Sequence, residues 1–219
     1  MINKRVLLLC GHYGSGKTNI AVNLAMHLSK KYPRVTIADL DIVNPYFRSK
    51  DSIGDFNDAG IRLICSEYAN TNVDIPALPQ DLYAITDDRD MRVIVDVGGD
   101  DRGALALGRL TPALVEENNY EMLMVINCYR PLTRDAQSTI EVMREIEDAC
   151  RIRFTGLINN SNLGRETTAM DVLRSLPYAQ AVSDACGLPI VMTTADEPIA
   201  QELEGKITDL FPLRLQKKL

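Results

Sequence analysis

The stretch Val6 to Thr18, VLLLCGHYGSGKT, holds the residues whose types and spacing are most committed to chemistry. Gly11, four further residues, then Gly16, Lys17 and Thr18 satisfy the pattern G-x-x-x-x-G-K-[ST], which forms a phosphate-binding loop when a strand precedes it and a helix follows. Both flanks fit, with a short apolar run before the loop and a helix-like run, Asn19 to Lys30, after it. Glycines at Gly11, Gly14 and Gly16 permit backbone conformations that a side chain would obstruct. The N–H groups around them, at His12, Tyr13 and Ser15, can then turn inward around phosphate oxygens. The helix beginning near Asn19 points its positive end at the same anion. Lys17 is expected to reach the β- and γ-phosphates and the Thr18 hydroxyl to ligate magnesium.

Two further acidic sites fall at the ends of apolar runs. VTIADL ends in Asp39-Leu40-Asp41, and MRVIVDV ends in Asp96-Val97-Gly98-Gly99. Ligands of a parallel α/β sheet bind outside the carboxyl ends of its strands, so these carboxylates would arrive beside the phosphate loop. Asp96 is expected to bind a metal-ligated water, and the glycines behind it to approach the γ-phosphate closely. Without the phosphate loop, the paired aspartates at Asp39 and Asp41 would read as turn or capping residues.

The elements that must position these groups alternate along the chain. Strands are expected over Arg34 to Leu40, Ile61 to Cys65, Met91 to Val97, Met122 to Cys128, Arg153 to Asn159 and Leu188 to Met192. Between them fall helices over Gly103 to Glu117 and over Arg134 to Cys150, the latter with a core stripe of Ala136, Ile140, Met143 and Ile146. A third follows a capping pattern at Thr168 to Asp171, with Pro177 expected to interrupt or restart it, and Asp196 should cap a last helix carrying Pro198. Ser66 to Gln80 reads as a long loop, and the tail from Leu210 to Leu219, broken by Pro212, as a solvated terminus. Parallel strands need right-handed crossovers, so the expected fold is a three-layer α/β domain over residues 1–219, its mostly parallel sheet covered by helices on both faces.

Composition narrows the classes. With 46% hydrophobic and 25% charged residues, the chain reads as an ordinary globular protein. A net charge of −6 gives no basic footprint for nonspecific nucleic-acid binding. Five scattered cysteines without a C-x-x-C pair indicate neither a disulfide framework nor a zinc site and suit a reducing cytoplasm. No apolar run approaches the roughly 20 residues that cross a bilayer, so no membrane insertion is expected.

In order and spacing these segments resemble the MinD/ParA/CobQ/CobB group of phosphate-loop ATPases, which includes the Mrp-type iron–sulfur carriers, over nearly the whole chain. GHYGSGKT stands for the phosphate loop, VTIADLDIVNPYF for the D-x-D strand end, VIVDVGG for the following acidic strand and GLINN for a late strand. The resemblance implies a Mg²⁺-dependent ATPase in which Lys17 and Thr18 hold phosphate and metal, Asp41 orients the attacking water, and Asp39 and Asp96 support the metal. It further implies that Asn159 contacts adenine while Thr194 to Pro198, Asp196 included, line the base. His12 stands where many relatives carry a lysine that reaches across a nucleotide-sandwiched dimer, so no ATP-driven dimer of that type is expected, although a homodimer of another kind stays open. Absence of C-x-x-C removes the bridging cluster of the iron–sulfur carriers. The implied role is a switch that follows ATP and ADP and acts on an unidentified partner protein. Alternatives are a small-molecule ligase or kinase resembling dethiobiotin synthetase, and a nickel-insertion GTPase, for which the chain offers no N-K-x-D run.

Overall fold

The computed structural model describes residues 3–40, 53–65, 80–99 and 101–215. Within them the strands are β1 (Val6–Cys10), β2 (Val35–Leu40), β3 (Ile61–Cys65), β4 (Arg92–Val97), β5 (Tyr120–Ile126), β6 (Gly156–Asn159), β7 (Ile190–Asp196) and β8 (Leu210–Leu213). They form one sheet in the order β3-β2-β4-β1-β5-β6-β7-β8, and each neighbouring pair is parallel. The helices are α1 (Lys17–Ser29), α2 (Ile53–Asp58), α3 (Ala84–Asp87), α4 (Asp101–Gly108), α5 (Thr111–Glu117), α6 (Ala136–Cys150), α7 (Ala169–Cys186) and α8 (Glu197–Leu203).

The apolar runs of the central strands follow from burial on both faces. Val6, Leu8 and Cys10 of β1 join one core with Leu107, Leu114, Ile140 and Met143 of α4, α5 and α6. Leu7 and Leu9 join the opposite core with Ile20 and Leu24 of α1 and Phe56 of α2. One-residue alternation thus feeds two cores from a single strand. Each fully buried leucine contributes about 1.5–3 kcal/mol, which fixes the strand's register more firmly than any polar contact at its end. A smaller cluster, Val172, Ala195, Ala200 and Leu203, packs α7 and α8 against β7.

β1 lies between β4 and β5, and the chain builds β2 to β4 on one side before crossing to β5 on the other. A crevice therefore opens at the carboxyl end of β1, where the sequence places its glycine-rich loop.

Several local expectations change. Gly103 to Glu117 is two helices, because Pro112 at the start of the second has no N–H with which to continue the first. Thr111 Oγ1 donates to Cys150 O at 2.8 Å at the same junction, and Pro112 opens the second helix. Pro177 does not interrupt α7. That helix has a capping box at Thr168 and Asp171, a left-handed Gly187 at its other end, and a buried face of Val172, Ser175, Ala179 and Val182, which together outweigh one missing N–H. Leu210–Leu213 is an edge strand rather than a solvated tail, with Leu213 only 2% exposed. At a sheet edge, the donor that Pro212 lacks is not needed on its outer side. Asp41 and residues 66–79 of the expected Ser66 to Gln80 loop lie outside the described residues.

Candidate functional site

β1 delivers the chain into the loop, and Ser15 N donates to His12 O at 3.1 Å to close its turn. Gly16 then caps α1 with φ 94° and, having no side chain, leaves the first turn of that helix without a side-chain cap of its own. A side chain at Gly16 would be excluded twice: its φ is left-handed, and a Cβ would fall 2.1 Å from Asn160 Nδ2. Gly99, just beyond β4, presses on the same loop, since a Cβ there would lie 2.6 Å from Tyr13 N.

Lys17, 6% exposed, donates from Nζ to Gly11 O at 3.0 Å and to His12 O at 3.3 Å. Its ammonium is thus drawn back along the loop onto carbonyls, the weaker of the acceptors a cation can use. Thr18 Oγ1 donates to Asp96 Oδ2 at 2.6 Å. Asp39 stands in register with Asp96 across the β2–β4 ladder and is 8% exposed. Threonine and carboxylate oxygens suit magnesium, which takes few protein ligands and completes its shell with phosphate and water. No group of three or more His, Cys, Asp or Glu among the described residues is placed to hold a metal without such help.

A cavity of about 420 Å³ runs from this loop toward β7 and β8. Tyr13, Gly14, Gly16, Lys17, Thr18 and Asn19 line its phosphate end. Thr194 and Asp196 line the other end, with Leu213 and Leu215, and Asn160 stands between the two. Asn19 Oδ1 and Ser15 Oγ are buried with no hydrogen-bond partner among the described residues. Buried polar atoms are rarely left so unless something else completes them. Asp196 caps α8 through Oδ1, accepting from Glu197 N at 3.0 Å. His12 does not line the cavity, and its Nδ1 lies 3.0 Å from Tyr13 O.

Asn159 corrects the sequence expectation. Its side chain is wholly buried and turned away, donating from Nδ2 to Ser175 Oγ at 2.9 Å and accepting from Ser161 N at 3.2 Å. The cavity residue is its neighbour Asn160, whose Nδ2 donates to Ser15 O at 2.6 Å and whose Oδ1 accepts from Thr194 Oγ1 at 2.6 Å. Asn160 therefore ties β6, β7 and the phosphate loop together. Arg130, in the loop after β5, is a second residue that sequence reasoning missed; it lines the cavity, and its Nε donates to Gly14 O at 2.9 Å. The only clue was position, because β5 neighbours β1 and whatever follows β5 must pass the loop.

Cys10 closes the strand beneath the loop, and burial pushes its thiol well up, with Cys150 adding to the effect. A thiol kept neutral in this way is neither nucleophile nor metal ligand.

The family model of the CobQ/CobB/MinD/ParA nucleotide binding domain matches residues 11–187. The chain belongs to this family. It is accordingly a nucleotide-binding P-loop protein, and the cavity coincides with the loop that defines the group. No curated protein matches the chain. Among solved structures, the cell division protein FtsY of Thermotoga maritima superposes with a TM-score of 0.57 at 18% identity, covering 89% of this chain and 63% of that one. Chloroplast FtsY from Physcomitrella patens gives 0.58 at 20% identity, covering 87% and 58%. The signal recognition particle 54 kDa protein of Aeropyrum pernix, in complex with GDP, gives 0.52 at 18% identity, covering 87% and 41%. This chain thus spans less than two thirds of those proteins, and the likeness is one of fold: an α/β P-loop sheet with helices on both faces. No helix among the described residues is long and apolar enough to cross a membrane.

Proposed function

We propose that the protein is a Mg²⁺-dependent ATP hydrolase of the CobQ/CobB/MinD/ParA family, a single nucleotide-binding domain acting in the cytoplasm as a switch on a partner protein. The observation that carries this reading is the hydrogen bond from Thr18, which lines the cavity, to Asp96, in a cavity whose other end is walled by Thr194 and Asp196. Lys17 exchanges two loop carbonyls for the more strongly accepting phosphate oxygens. Asp96 fixes the Thr18 hydroxyl through its donor, leaving the lone pairs of that oxygen for a metal. Bound magnesium would offset the charge that gathers on the phosphate oxygens during transfer. Asp41 is assigned to orient the attacking water.

Adenine is favoured because the β6 end reads Asn159-Asn160-Ser161-Asn162 and not N-K-x-D. Asp196, with one oxygen engaged by Glu197 N, can accept from the adenine amino group. The same carboxylate also favours a second reading, since it could accept from the two donors of guanine. Calorimetry with MgATP and MgGTP, together with phosphate release by wild type and Asp41→Ala, separates these. Tighter ATP binding, and binding without turnover in Asp41→Ala, are expected. Tighter GTP binding would reassign the base, and undiminished turnover would remove Asp41 from the mechanism.

A further inference from the structure

His12, the titratable side chain at the start of the loop, stands outside the cavity wall. Arg130 stands inside it. Its segment is held firmly at the carboxyl end of β5. Asn127, fully buried, accepts from Tyr129 N at 3.0 Å and Asn162 N at 3.3 Å, while Cys128 N donates to Ser161 Oγ at 3.1 Å. Arg130 N donates to Asn127 O and Thr133 N donates to Arg130 O, which makes a tight turn of the residues between. From that turn the side chain crosses to the phosphate loop. Its Nε and Cδ lie 3.5 and 3.9 Å from where a Gly14 Cβ would be, so the guanidinium rests in van der Waals range of the loop.

An arginine has five N–H donors and stays charged at any physiological pH. Only Nε is engaged, and the terminal nitrogens make no hydrogen bond or ion pair with another described residue. The loop is thus flanked by two cations, Lys17 drawn onto Gly11 O and His12 O and Arg130 onto Gly14 O. A structural arginine would satisfy its fork, as Arg5 does at the other end of the sheet with Glu117 and three carbonyls. A planar fork left open on a phosphate loop matches phosphate oxygens.

We propose that Arg130 is a phosphate-tail ligand acting within its own chain, hung on Gly14 O through Nε and offering its terminal N–H groups to the nucleotide's phosphates. The inference rests on the nucleotide reading of the cavity given above. It identifies a cation for the site that needs no second copy of the protein.

The test is calorimetry of the full chain with the tri-, di- and monophosphates of adenosine and of guanosine in Mg²⁺, for wild type, Arg130→Gln, Arg130→Lys and Lys17→Ala. Arg130→Gln should weaken triphosphate binding by about ten- to a hundredfold, diphosphate binding less and monophosphate binding least, with a shallower salt dependence than wild type. Arg130→Lys should recover part of the loss, as a point charge in place of a fork. A role confined to bracing the loop would weaken all three nucleotides equally and leave the salt slope unchanged, and that result overturns the proposal. So does unchanged affinity in both Arg130 variants alongside a loss in Lys17→Ala, which leaves the cavity's nucleotide reading intact. A wild type that binds neither series overturns both.

Discussion

The two ends of the sheet bury charge to opposite purpose. At the amino ends of the strands, Arg5 is 4% exposed, and its guanidinium is closed on every side: Glu117 pairs with it, and Ile85 O, Asp88 O and Met91 O accept from the terminal nitrogens. At the carboxyl ends, Lys17 is 6% exposed but among the described residues has only loop carbonyls as acceptors, and Asn19 Oδ1 and Ser15 Oγ in the same segment find no partner among them. The first arrangement is complete and locks α5 to β1. The second is the chemistry of a site that a ligand finishes. Burial alone does not separate a structural charge from a functional one; how fully its hydrogen bonds are satisfied does.

Removing Lys17 should give the largest effect and the sharpest test of that contrast. Lys17→Ala is expected to cut nucleoside triphosphate affinity by about a hundredfold or more while the thermal midpoint of the ligand-free protein moves little. A variant that melts far below wild type without nucleotide would place Lys17 with the structural charges.

Glu117→Gln should behave in reverse, lowering stability by about 3 kcal/mol in chemical denaturation and leaving nucleotide affinity unchanged. The hydrogen bond from Arg5, reinforced by its charge, holds the Glu117 carboxyl below its ordinary value of 4.5. A depressed carboxyl stabilises the fold fully above its unfolded value and loses that contribution as pH falls through the lower folded value. The gap between wild type and Glu117→Gln should therefore be widest near neutrality and close below pH 4.5. A gap independent of pH would assign the cost to shape and not to charge.

Asn160 mixes the two behaviours, being a satisfied polar side chain at the open end. Asn160→Ala leaves Ser15 O short of a donor and Thr194 Oγ1 with only the longer bond to Asn159 O at 3.4 Å, at a cost of about 1–3 kcal/mol, and should also weaken nucleotide binding by freeing the loop. Full affinity in a destabilised Asn160→Ala would mean that the loop holds its shape unaided.

The open end was the more legible in sequence. A phosphate loop tolerates few residue types at fixed spacing, so Gly11, Gly16, Lys17 and Thr18 could be placed without knowing the fold, and Asp39 and Asp96 followed from the ends of apolar runs. What escaped was decided by geometry that leaves no pattern. In GLINN, adjacent asparagines point opposite ways at the end of β6, and only the path of the chain assigns Asn159 to Ser175 and Asn160 to the loop. Arg130 belongs to no spacing rule, because its role comes from which strand neighbours β1. β8 was hidden by its brevity and by Pro212, since a short edge strand carries little alternation and a proline argues against it. Pro177 misled for the opposite reason: local propensity weighed against the helix, and its capped ends and packing overrode it.

β8 has a consequence in the order of synthesis. Leu213 and Leu215 line the cavity, and Arg214 between them exchanges two backbone hydrogen bonds with the Asn23 side chain on α1, at 2.8 and 3.1 Å. Chains are made from the amino end, and early segments begin to fold while later ones are still in the ribosome. The phosphate loop is thus among the first parts to emerge, yet its cavity lacks a wall until a strand some 190 residues later docks onto the helix that the loop begins. A nascent chain halted before β8 would carry the loop, Lys17 and Thr18 with the cavity open on the side of Leu213 and Leu215. Closure of the cavity is in this way tied to completion of the sheet.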